Sequence, residues 1–185
     1  MKNTLLSLLF LIALLQSSAQ DSPQSKVGIY AGYFGETFTH PGLNIGIEYY
    51  PHQSEKYQMI LSVNGGGYVH VRNNKSFFLR GQWGQRVYFE NGLFIDQFLG
   101  VGYLHQFTHG GELYEVLPNG AVVETKDSGQ PFFMPSVSFG AGYDFSKKGD
   151  SRFSVYLRPE LFWKAPFNGY FLTNIAINAG VILKL

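Results

Sequence analysis

The chain has no cysteine among its 185 residues, which excludes a disulfide framework and a lipid-modified lipoprotein start. It also has little charge. Only 15% of residues are Asp, Glu, Lys or Arg and the formal net charge is +1, so the cationic footprint of a nucleic-acid binder is missing. Beyond Ala19 no stretch approaches roughly 18 uninterrupted apolar residues, and this excludes a transmembrane helix there. What the chain does hold is 22 glycines and 17% aromatic side chains. Helices disfavour both, whereas twisted, tightly curved sheets use both. The composition is that of an all-β protein.

Met1 to Ala19 has the layout of a secretory signal. Lys2 supplies the positive start, Leu5 to Leu15 ("LLSLLFLIALL") the apolar core, and Ser17 and Ala19 the small residues before a cut. The expectation is a cleaved signal peptide over 1–19 and a single domain over 20–185.

In that domain, eight alternating runs are separated by turn signals: Lys26–Gly35, Leu43–Pro51, Lys56–Val71, Ser76–Phe89, Leu93–Phe107, Phe132–Phe145, Arg152–Lys164 and Phe171–Leu185. The connections alternate too. "HQSE", "EN" and "SKKGD" are compact and polar, whereas "ETFTHPG", "RNNK", "APFNGY" and the long "THGGELYEVLPNGAVVETKDSGQP" are varied. Short turns at one end and variable loops at the other are the parity of an outer-membrane barrel.

Odd positions carry the apolar set, such as Ile45, Ile47, Leu79, Val101, Leu157, Ile177 and Val181. Even positions carry Gly, Ser and Asn with Tyr30, Glu48, Arg80, Arg86, Asp96, Arg158, Glu160 and Lys184. Glycine on a solvent-facing strand weakens it and fills nothing. In a narrow barrel it makes room for a large side chain across the axis. The even set is therefore expected to face inward and the odd set outward. Aromatic residues cluster near both strand ends, with Tyr33, Phe77, Tyr103, Phe107, Phe133, Trp163 and Phe171 at one and Tyr49, Tyr57, Phe89, Tyr143, Phe145 and Phe153 at the other. Two belts of rings suit two lipid–water interfaces. The fold class read from these patterns is an eight-stranded antiparallel up-and-down transmembrane β-barrel.

In signal, strand count, turn parity and alternation the chain resembles the small eight-stranded outer-membrane barrels of Gram-negative bacteria, of the OmpA-domain and OmpX type. It departs from them in ending Leu183-Lys184-Leu185 without a terminal aromatic. The resemblance implies a place in the bacterial outer membrane, contact with outer-membrane lipid, and handling by the barrel assembly machinery. It also implies an envelope-structural or surface-interaction role through the outer loops, with an extracellular or envelope protein as partner.

Inside, Glu48, Arg80, Arg86, Asp96, Arg158, Glu160 and Lys184 are expected to form an ion-pair network that plugs the lumen, because a buried ion needs a partner. Outside, "ELYEVL" and "AVVETK" flank Pro118-Asn119-Gly120, a hairpin turn signal. Strands five and six are expected to continue there as an extracellular hairpin, with Tyr114 on its first arm. Catalytic signals are poor: no catalytic residue, metal ligand or cofactor is assigned. The only His-x-Ser element, His52-Gln53-Ser54, falls in a compact turn, on the wrong leaflet for a lipid A deacylase. His105, His109 and Glu112 match no metal-ligand spacing and read as surface residues. "GGGY" at Gly65–Tyr68 lies within a strand and is no phosphate loop. The reading is of a protein that is not an enzyme. A lipid A-modifying enzyme and a soluble periplasmic lipocalin-like calyx are the rivals, and the calyx requires the apolar face to point inward.

Overall fold

The computed structural model describes residues 25–108, 113–147 and 151–185. The signal peptide read at Met1–Ala19 lies outside them. Period-two alternation becomes strand throughout: β1 Val27–Glu36, β2 Gly42–Gln53, β3 Tyr57–His70, β4 Asn74–Tyr88, β5 Leu93–Thr108, β6 Leu113–Val116, β7 Val122–Thr125, β8 Gln130–Phe133, β9 Ser136–Asp144, β10 Phe153–Phe167 and β11 Tyr170–Lys184. One 3-10 turn, Phe145–Lys147, follows β9.

Neighbours pair antiparallel around a ring. β8 and β9 both lie between β5 and β10, so they share one position and the nine-stranded sheet has eight staves. β11 then pairs with β1 from Gly28↔Lys184 to Glu36↔Ala176, which closes the ring. Among the described residues β6 and β7 pair only with each other, within the long connection from β5 to β8. The result is an eight-stranded antiparallel up-and-down barrel with no open edge, the form a sheet needs in hydrocarbon.

The split between β8 and β9 corrects the reading of Phe132–Phe145 as one unbroken strand. Pro135 has no N–H to give a ladder. The chain bridges it because Met134 N donates to Gly102 O at 2.8 Å and Trp163 N to Pro135 O at 3.0 Å. Pro51 sits where the β2–β3 register shifts between Tyr49 and His52, a bulge position that tolerates proline. The segment "APFNGY" is also tighter than the sequence implied. β10 runs on to Phe167 and β11 starts at Tyr170, leaving Asn168 and Gly169 as a two-residue turn at φ 47° and 83°. Positive φ at both central residues is the type I′ hairpin requirement.

One parity rule governs the body of the ring, up to the register shifts at Tyr49/His52 and Lys164/Phe167. Odd residues face out: Ile45, Leu79, Val101 and Leu157 are 62, 60, 58 and 53% exposed. Even residues face in, from Tyr30 and Glu48 to Glu160 and Ile182, all buried. An apolar surface that runs round every strand has no place in water. It reverses the calyx, whose apolar face would line the cavity. The lumen also holds more than the polar set read from sequence, because Phe34, Phe78, Phe94, Phe98, Phe162, Leu104 and Ile182 are buried at even positions. Inward glycines accommodate them. A Cβ on Gly84 would stand 2.3 Å from the Phe98 ring, and one on Gly142 2.2 Å from Phe94.

Val101→Arg, in the middle of the outer face, is expected to lower unfolding stability in lipid vesicles by about 2–4 kcal/mol. Val116→Arg, on the exposed β6 arm, should change it by under about 0.5 kcal/mol. Guanidinium titrations of the two folded variants measure both.

Candidate functional site

The lumen has two ends. The terminus end is where β1 starts and β11 finishes, together with the turns after β2, β4 and β9. The loop end carries the β1–β2, β3–β4 and β10–β11 turns and the β6–β7 hairpin. Between them polar and aromatic layers alternate.

The innermost ionic group joins Arg86, Glu48, Asp96 and Arg158, placed by even positions on β4, β2, β5 and β10. Arg86 Nη2 donates to both Glu48 oxygens at 3.2 and 3.3 Å, and Arg86 Nε to Asp96 Oδ2 at 3.2 Å. Arg158 reaches the same acids, with Nη2 2.9 Å from Asp96 Oδ2 and 3.5 Å from Glu48 Oε1. Neutral groups complete the set. Tyr50 Oη donates to Glu48 Oε2 at 2.9 Å, and Gln58 Oε1 accepts from Arg86 Nη1 at 3.2 Å. Two cations sharing two carboxylates, each further hydrogen-bonded, is the arrangement in which buried charge is tolerated. Aromatic faces pack against the guanidiniums as well. Arg86 lies 4.6 Å from the Phe94 centroid, and Arg158 4.0 Å from Tyr156 and 4.5 Å from Phe98.

A second group sits nearer the loop end. Arg80 and Glu160 form a direct ion pair. Arg80 Nε also donates to Asn64 Oδ1 at 2.7 Å, Asn178 Nδ2 to Glu160 Oε2 at 2.9 Å, and Asn44 Nδ2 to Asn178 Oδ1 at 2.9 Å. Between the two groups lies a cavity of about 10 Å³ lined by Tyr30, Asn44, Arg80, Tyr156 and Arg158 among others. That is room for about one water. Above it Phe34, Phe78, Leu104, Met134 and Phe162 form an apolar plug across the axis. Ion groups and apolar side chains thus fill the described part of the lumen.

Lys184 stands apart from the other six charges of the sequence reading. It pairs with Asp144 at the terminus end, and its Nζ donates to Ser146 Oγ at 3.2 Å. Asp144 was missed, although its even number on the sixth stave already marked it as inward. Also missed was a polar layer above the plug. Glu36 and Lys164 are buried there, and Glu36 is paired with the His40 imidazole. His70 stacks on His40 with centroids 3.8 Å apart, and Lys164 Nζ donates to Gln106 Oε1 at 3.0 Å. Parity marked Glu36, His70 and Lys164 as inward too; nothing in their spacing showed that they share a level.

In the hairpin, Gly120 N donates to Leu117 O and Leu117 N to Ala121 O, both at 2.8 Å, and Asn119 Oδ1 accepts from Ala121 N at 3.0 Å. Gly120 takes φ 81°, a conformation glycine adopts without steric cost. Pro118, Asn119 and Gly120 are exposed, as is Tyr114 on β6. His105 is held at both nitrogens, by Tyr103 Oη at 2.6 Å and Ser128 O at 3.0 Å. His109 and Glu112 lie outside the described residues. His52, Gln53 and Ser54 lie at the terminus end, where Ser54 Oγ binds the backbone of Tyr57. Among the described residues no group of three or more His, Asp or Glu could hold a metal ion.

No protein-family model and no curated protein matches the chain. Solved structures do. Neisserial surface protein A matches with a TM-score of 0.55 at 10% identity, covering 86% of this chain and 96% of its own. Ail, the attachment invasion locus protein of Yersinia pestis, matches with a TM-score of 0.52 at 10% identity, covering 86% and 99%. A de novo designed transmembrane β-barrel matches with a TM-score of 0.50 at 12% identity, covering 90% and 100%. At such identities the likeness is one of fold: this chain has the fold of the small transmembrane β-barrels.

Arg86→Leu strands Glu48 and Asp96 on a single remaining guanidinium. It is expected to cost roughly 3–5 kcal/mol, the usual penalty for breaking a buried ion group. Lys184→Met, at the half-exposed rim, should cost clearly less. Denaturant titration of both in the same micelles gives the comparison.

Proposed function

We propose that the chain resides in a bacterial outer membrane as a closed, non-catalytic barrel whose role is envelope structure or surface interaction through its loop end. The observation that carries this reading is the combination of an apolar exterior on every stave with a lumen filled by ion groups and aromatic rings. The first asks for a lipid surround and the second leaves no solute path. The part of the molecule free to meet a partner is then the loop end. There the β6–β7 hairpin projects with Tyr114, Val116 and Val122 exposed, and a short two-stranded sheet of this kind offers backbone edges to an extended partner segment. In this reading the partners are outer-membrane lipid around the belt, the barrel assembly machinery during biogenesis, and an extracellular or envelope protein at the hairpin. Hydrogen bonds that fix His105 and Ser54 in place support structural rather than catalytic roles for them.

The absence of cysteine makes the placement directly testable. Asn119→Cys at the hairpin tip should react on intact cells with a membrane-impermeant maleimide. Ser54→Cys, at the opposite end, should react only after the envelope is opened. Labelling of Ser54→Cys on intact cells, or of neither, contradicts the proposed orientation. Reconstituted in a planar bilayer, the protein is expected to give no sustained ion current.

A further inference from the structure

Among the described residues, charge pairing in the lumen leaves one cation over. Arg86 and Arg158 share Glu48 and Asp96, Arg80 has Glu160, and Lys184 has Asp144. Among the described residues Lys164 has no carboxylate within ion-pair distance, although it is only 5% exposed. The acid that acts on it through space is Glu36, and that carboxylate is turned to the His40 ring. Of the three ammonium N–H groups of Lys164, one goes to Gln106 Oε1 at 3.0 Å. Burying a cation with donors unused costs several kcal/mol unless a partner arrives.

Other donors stand at the same level. Gln106 pairs across the sheet with Ser76, and Ser76 with Tyr68. The Tyr68 ring lies 5.6 Å from Lys164 Nζ, and Tyr68, 2% exposed, has a hydroxyl without a hydrogen-bond partner. Its neighbour Ser76 sends its own Oγ–H to Asn74 Oδ1 at 3.3 Å instead. His70 Nδ1 is buried and without a partner too. Beneath them the plug of Phe34, Phe78 and Phe162 forms a dry floor.

We propose that this loop-end layer is a binding site for a small oxyanion, a carboxylate or phosphate group from solution, held by the Lys164 ammonium and the Tyr68 hydroxyl. Donors left unused stand at one level there beside an apolar floor, where low dielectric strengthens a charge-assisted hydrogen bond. The half-buried His40, His70 and Gln106 connect the layer to the loop-end surface, so the anion enters from water within the ring of strands and not from the lipid belt. The inference does not depend on which membrane holds the barrel.

The test is an amide NMR titration of the folded full-length domain in maltoside micelles, with inorganic phosphate or acetate replacing chloride at constant ionic strength. Saturable shifts confined to the neighbourhood of Lys164, Gln106 and Tyr68 are expected. They should be lost in Lys164→Met, and the midpoint should rise at least about fivefold in Tyr68→Phe, in line with loss of one hydrogen bond. Tyr68→Phe removes one hydroxyl and leaves the ring in place, and its neighbour Ser76 keeps its bond to Asn74, so it keeps the fold even if Lys164→Met does not. Non-saturable shifts, or a midpoint unchanged in Tyr68→Phe, overturn the proposal. So does the appearance of the same shifts on exchanging maltoside for a phosphocholine detergent with no anion added, which would assign the site to a lipid headgroup.

Discussion

Closure of the backbone ladder is the constraint on which everything else depends. A peptide N–H or C=O left unpaired in hydrocarbon costs several kcal/mol, so a sheet that spans a bilayer must have no edge. The nine residue pairs from Gly28↔Lys184 to Glu36↔Ala176 remove the edge by joining the first stave to the last. The same demand explains how the ring treats Pro135 and Pro51. Pro135 falls at a strand break whose flanking groups find partners in Gly102 and Trp163, and Pro51 falls at a bulge. Neither opens the ladder along a stave.

Closure at eight staves fixes the diameter, and the diameter fixes the interior. The axis is about as wide as opposed side chains, so every large inward residue needs a small one facing or flanking it. Gly84 yields to Phe98 and Gly142 to Phe94. The remaining space is filled in alternating strata. The ionic strata are stabilised by mutual pairing and by aromatic faces, and the aromatic strata keep water from them. Buried ions contribute less to net stability than an apolar core of equal volume, but a four-membered group anchored on β2, β4, β5 and β10 ties staves that are not neighbours.

The faces of the sheet were legible in the sequence because parity holds along the body of each stave, with slips near strand ends at Tyr49/His52 and Lys164/Phe167. Odd positions stay outward from Ile29 to Val181 and even positions inward from Tyr30 to Ile182, so the period of two, once assigned, decided every stave. Inward apolar residues such as Phe94 were harder, because a hydrophobic residue on the polar face looks like noise until its glycine partner across the ladder, here Gly142, is known. Partner choice was harder still. Lys184 and Asp144 are 40 residues apart, and nothing local ties Lys184 to that acid rather than to Glu48. The polar layer around Lys164 needed register across the ring, since Tyr68, Ser76 and Gln106 become neighbours only through cross-strand pairing. Local punctuation was read better at Pro118-Asn119-Gly120, whose turn chemistry is self-contained, than at Asn168-Gly169, where the flanking strands run further than their composition suggests.

The inside-out arrangement of apolar and charged side chains can be measured without altering the protein. Its two tryptophans, Trp83 and Trp163, both occupy odd, outward positions, and Trp83 pairs with Leu61 and Leu99 on neighbouring staves. Folded into vesicles, the protein should lose tryptophan fluorescence when the lipid acyl chains carry bromine and be indifferent to aqueous iodide. Full fluorescence in brominated lipid, with quenching by iodide, would contradict it.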